Sequence, residues 1–145
     1  MIADMKEFNL EFDGYYIDMN SLPTYGGIYC VYSGSYNPNT DKVSVGELVY
    51  IGEAENIQKR HTDVHEHQED FDNSVKGITN GKVLYSTAKL ENENDRKRVE
   101  NALIYHEQPD INTDGKDSFK HPFTRIVSSG RVMLKDNDFT QDRVD

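Results

Sequence analysis

The sequence predicts an α+β sandwich, a small three-stranded sheet with helices packed on it. Two observations predict it. Val, Ile, Tyr and other apolar residues gather in short runs bounded by Gly, Pro, Asn and Asp, as in strands. Two further stretches carry apolar side chains at helical spacing, and these elements follow one another as strand, strand, helix, strand, helix.

Each element can be justified in turn. Phe8, Leu10 and Phe12 alternate with polar residues, and Asp13-Gly14 then offers a tight turn into Tyr15-Tyr16-Ile17, which predicts an N-terminal β-hairpin. Gly26 to Tyr32 reads as a buried strand. Ser33 to Ser44, rich in Ser, Asn, Gly and Asp, reads as a loop. Glu47 to Ile51 forms a second strand ended by Gly52, and Ile57 to about Val64 a short helix. The polar stretch Glu66 to Ser74 reads as a mobile loop, and Lys82 to Ala88 as the third strand. Glu91 to Asn94 supplies caps and acids for a helix running to about Glu107, stopped by Pro109. Phe123–Val127 and Arg131–Leu134, either side of Ser128-Ser129-Gly130, predict a C-terminal hairpin. Residues 136–145 read as a frayed acidic tail. No repeat or boundary divides residues 1–145, so one domain is expected.

The chain has 145 residues, enough for an independent core, and its nine Tyr and six Phe supply large core-forming side chains. Cys30 is the only cysteine, so no disulfide can form within the chain. No run approaches the ~20 apolar residues of a membrane span, and MIADMKEFNLEFDG lacks the apolar segment of a secretion signal. A soluble, cytoplasmic protein with no membrane partner is expected. Net charge is −10, which opposes contact with phosphates. The charge is uneven: residues 1–81 hold 5 basic and 14 acidic side chains, residues 82–135 hold 10 and 8. A phosphate-facing surface is therefore expected to draw on the second half.

Several residues carry chemistry by their placement. Glu100 lies between Leu103 and Ile104 on a helical wheel, a costly position for a carboxylate unless it is paired or binds a cation. Two roles are open to it: an (i, i+4) pair with Arg96, or a ligand for a hard divalent cation. Arg60 shares a helix face with Ile57 and Val64, where a guanidinium can cover the sheet or hold a phosphate oxygen. Tyr29 and Tyr50 stand on successive strands. His65-Glu66-His67 has the wrong spacing for a zinc-protease helix, and no zinc is expected.

Gly27-Ile28-Tyr29, Tyr50-Ile51-Gly52, the run Asn56-Ile57 to Arg60, Glu100 with Leu103-Ile104, and Pro109 to Asn112 occur in the order and rough spacing of a known pattern. Over about residues 25–112, the chain resembles the GIY-YIG nuclease superfamily. The resemblance implies a three-stranded central sheet flanked by helices, here with extra terminal hairpins. It implies a metal-dependent endonuclease that hydrolyses phosphodiester bonds in nucleic acid, DNA by family precedent, through in-line attack of water. Tyr29, Tyr50, Arg60, His65, Glu100 and Asn112 would be catalytic, with Glu100 holding Mg²⁺ or Mn²⁺. Gly52 and His61 would contact substrate. Cutting both strands would call for a homodimer or sequential nicks, and specificity could come from a separate partner. Two positions depart from the family. The His or Tyr often found four residues after the helix arginine is Val64, leaving His61 or His65 to replace it. Glu53 puts an acid where incoming phosphate would pass. The alternative is a catalytically impaired module of the same fold that binds nucleic acid or protein.

Overall fold

The computed structural model describes residues 5–145. Its strands are β1 (Lys6–Tyr16), β2 (Gly27–Asn37), β3 (Lys42–Ala54), β4 (Gly81–Lys89), β5 (Thr124–Gly130) and β6 (Asp138–Gln141). Its helices are α1 (Ile57–Thr62), α2 (Gln68–Ser74) and α3 (Glu93–Glu107), with a short 3-10 turn at Met19–Ser21. All six strands join one sheet in the order β3-β2-β4-β1-β5-β6. Neighbours are antiparallel except β1 and β5, which run parallel.

This corrects the three-stranded sheet expected from the sequence. The flanking segments are not separate hairpins but half of the same sheet. Asp13-Gly14 does not turn the chain back. β1 runs through it, pairing with β5 from Lys6 to Phe12 and with β4 from Phe12 to Tyr16. The ladder with β4 is irregular between Gly14 and Tyr16. Gly14 is needed there because a Cβ would lie 2.8 Å from the Tyr85 carbonyl oxygen. A glycine after an acid signals a hairpin turn or a close strand crossing equally well.

Other expectations are corrected as well. Ser33–Ser44 is mostly hairpin, with β2 and β3 paired out to Asn37 and Lys42. Glu66–Ser74 is not a loop throughout: α2 forms because Phe71 has an apolar pocket to fill. Arg131–Leu134 is not a strand. The partner of β5 is β6, inside the expected tail, where Phe139 is buried and its ring stacks on His106 at 3.9 Å.

Alternation along the strands divides the core between two faces. Ile28, Cys30 and Tyr32 pack with Val99, Leu103 and Ile104 of α3. Tyr29 and Val31 pack on the opposite face with Ile57 of α1 and Phe71 of α2. Asn56 caps α1, its side chain accepting from the Lys59 N–H, and Asn92 caps α3 in the same way. Gln108, at φ 54°, closes α3, and the segment after Pro109 turns onto β3. There the Ile111 N–H donates to the Val49 carbonyl at 3.0 Å, covering part of a sheet edge. No helix among the described residues is long and apolar enough to cross a membrane.

Candidate active site

Tyr29, Tyr50, Glu53, Arg60, Glu100 and Asn112 border one polar cavity of about 310 Å³, although they come from β2, β3, α1, α3 and the segment after it. Glu66, His67, Ile104, Thr113 and Asp114 complete the wall. A larger cavity, about 590 Å³, opens beside Lys82, Tyr85 and α2 and contains none of the motif residues.

The two tripeptides meet by strand register. Tyr29 on β2 stands opposite Gly52 on β3. A Cβ at Gly52 would fall 2.3 Å from both Cζ and the hydroxyl oxygen of Tyr29, so glycine is the residue that lets the phenol lie across β3. Gly52 thus makes room for Tyr29, whereas the sequence suggested contact with substrate. Gly52→Ala should displace the phenol and destabilise the protein by about 1–3 kcal/mol, which thermal melting would measure. The Tyr29 and Tyr50 rings stack with centroids 6.2 Å apart.

Asn112 fixes the next residue back. Its Oδ1 accepts from the Ile51 N–H and its Nδ2 donates to the Ile51 carbonyl, each at 2.9 Å. This two-pronged bond extends the edge pairing begun by Ile111 and holds Tyr50 and Gly52 in register with the cavity.

The histidines take different places. α1 ends at Thr62, and Val64, with φ 63° and 78% exposed, swings the chain round. His65 is thereby buried with Nε2 2.7 Å from the Tyr29 hydroxyl. His65, and not Val64, is the residue turned inward. The His67 N–H donates to His65 Nδ1 at 3.0 Å, so the proton of the neutral ring sits on Nε2 and is donated to Tyr29. The phenol's own proton is left to point elsewhere. Burial, aided by the Arg60 charge, pushes His65 down to about 3, so it is a neutral donor at physiological pH. His61 is 1% exposed, stacks on His65 with centroids 5.0 Å apart, and does not line the cavity. Burial pushes it down to about 4. His61, expected from the sequence to contact substrate, packs behind the Tyr29–His65 pair. Neither histidine titrates near neutral pH.

The acids and cations also rearrange relative to expectation. Arg96 does not pair with Glu100. It is 5% exposed, and its Nε donates to Glu53 at 2.8 Å while Nη1 donates to the Glu91 carbonyl at 2.6 Å. Glu53 is thus ion-paired from the α3 side, and its charge still reaches Glu100. Glu100 has no ion pair within 4.0 Å among the described residues. Burial, then the negative charge of Glu53, pushes it up to about 7, against a hydrogen bond from the Glu53 backbone. Burial and the nearby charges of Glu100 and Glu66 push Tyr50 up to about 12, and burial holds Tyr29 well above the ordinary tyrosine range. Among the cations of residues 82–135, Arg96, Lys97, Lys120 and Arg125 each face a carboxylate.

No group of three or more His, Cys, Asp or Glu side chains among the described residues is arranged to hold a metal. Glu100 does fit one protein ligand of a hard cation whose remaining positions are taken by water and phosphate. It is a partly buried carboxylate repelled by its neighbours, and a cation would relieve that repulsion. Comparison of the chain with protein-family models, curated proteins and solved structures finds no match.

Glu66 and Asp114 were not singled out by sequence reasoning. Their adjacency to His65 and Asn112 was the available signal, but polar residues in apparent loops carry none of the periodicity that marks a site.

Proposed function

We propose that this chain is a metal-dependent endonuclease of the GIY-YIG type, hydrolysing phosphodiester bonds in nucleic acid, with DNA as the first substrate to test. What supports this reading is the convergence of Tyr29, Tyr50, Arg60 and Glu100 on one cavity from four elements. The chemistry of that set suits a phosphodiester. A divalent cation bound at Glu100 would supply positive charge to the phosphate and the departing 3′ oxygen. Arg60 holds a non-bridging oxygen in two-pronged fashion and meets the charge that grows on it. Tyr29, a phenol whose oxygen already accepts from His65, directs its own O–H toward the cavity and orients the attacking water. The water oxygen bonds to phosphorus as the bond to the 3′ oxygen breaks in line, and one water proton passes by way of solvent to the 3′ oxygen, which leaves as the hydroxyl. Tyr50 and Asn112 hold this geometry, Tyr50 by stacking on Tyr29 and Asn112 through Ile51.

Arg60→Ala should slow nicking of supercoiled plasmid by about 10²–10³-fold with a far smaller loss of binding. Comparable rates for the variant and the native chain would remove Arg60 from the mechanism.

A second reading, a module of this type that binds without cutting, is favoured by the four carboxylates around the cavity: Glu53, Glu66, Glu100 and Asp114. Binding of DNA in Mg²⁺ without nicking would select it.

A further inference from the structure

In the free protein Arg60 is already occupied. Its Nη2 lies 3.2 Å from Oε1 of Glu66, and both side chains border the cavity that holds Tyr29 and Glu100. The Glu66 side chain is 67% exposed and that of Arg60 34%. The carboxylate therefore reaches back from solvent onto the guanidinium rather than being packed there.

The chain on either side of Glu66 is fixed. His65 is buried and bonded to Tyr29, and the His67 N–H is bonded back to His65 Nδ1. The His67 ring lies 3.2 Å from Asp70 through Nδ1. With its neighbours clamped, Glu66 can leave Arg60 by rotating its own side chain, without a loop moving.

We propose that Glu66 is a counter-ion gate on the phosphate site: it occupies Arg60 in the free protein and is displaced when a phosphodiester enters. A carboxylate and a phosphate present similar paired oxygens to a guanidinium, so they compete for the same fork. The gate keeps Arg60 from small anions and sets the affinity for substrate. This inference rests on Arg60 being the phosphate ligand.

The test uses a fluorescein-labelled 20-base-pair DNA duplex, with Ca²⁺ in place of Mg²⁺ to permit binding without cleavage. Affinity is read by anisotropy at low salt. Glu66→Gln should bind about 3- to 10-fold more tightly than the native chain. Glu69→Gln, an exposed acid outside the cavity, should change affinity by less than about twofold. In an Arg60→Gln background, the gain from Glu66→Gln should disappear. If Glu66→Gln leaves binding unchanged or weaker while Arg60→Gln weakens it, the gate is wrong and Arg60 keeps its role. If the gain persists without Arg60, or Glu69→Gln matches it, general charge repulsion is responsible and the gate is again wrong. If no variant binds DNA, the nuclease reading fails and the gate with it.

Discussion

Glu100→Gln should melt about 5 °C higher than the native chain at pH 8 in the absence of divalent metal, while losing cleavage by at least about 10²-fold. The stability gain follows from the carboxyl group's position. Burial and the Glu53 charge raise Glu100 to about 7 from an ordinary 4.5, so the folded protein holds this proton more tightly than the unfolded chain. Below pH 4.5 the group is neutral in both states and contributes no penalty. Between 4.5 and 7 the unfolded chain ionises first, and folding loses stability as pH rises. Above 7 the loss is complete, about 2 kcal/mol once the site's remaining contact with solvent is allowed for. Glutamine keeps the shape and cannot ionise. The two melting curves should therefore coincide near pH 4 and separate with rising pH. Added Mg²⁺ should stabilise the native chain at pH 8 and leave Glu100→Gln unmoved, because only the carboxylate attracts the ion. A purely structural Glu100 gives the reverse: the variant would be less stable at every pH and Mg²⁺ would affect both alike.

Tyr29→Phe should lower the cleavage rate by about 10²-fold or more while substrate binding changes only a few-fold. The ring remains, so its packing against Gly52, Tyr50 and His61 is kept. The hydroxyl is lost, and the buried His65 Nε2–H is left without its acceptor. That costs about 1–2 kcal/mol, a fall of a few degrees in melting temperature. His65→Phe should cost a similar amount by removing the donor, and the double variant little more than either alone. Additive losses would mean that the two side chains do not act as a pair. The opposite signs expected at residues 29 and 100 separate a group held by its neighbours from one strained by them.

The site was more legible in the sequence than the fold that carries it. Tyr29, Tyr50, Arg60, Glu100 and Asn112 could be singled out through the resemblance of the motifs around them to the GIY-YIG pattern. The structure brings all five to one cavity. His65 could be named only as one of two candidates. What decides its position is the left-handed backbone at Val64, which nothing about valine signals. Gly52 was noticed as a substrate contact, but the group that lies against it is Tyr29.

The sheet was misjudged at both ends. β1 is bordered by a strand from the middle of the chain and one from near its end, and such long-range pairing leaves no local mark. β6 hides in an acidic stretch where Phe139 is the one large apolar anchor. Glu53 shows a further limit. Its partner, Arg96, is 43 positions away in the chain, so the ion pair it forms could not be read locally.

On the proposed reading, Glu100 at this cavity supports metal-dependent cleavage. The most direct measurement is nicking of supercoiled plasmid in Mg²⁺ and in Mn²⁺ at low salt, with the native chain and Glu100→Gln purified in parallel. The expected result is nicking by the native chain, none with chelator present, and none by the variant despite its higher melting temperature at pH 8. Equal nicking by both proteins, or none by a native chain that is folded and loaded with either ion, would contradict it.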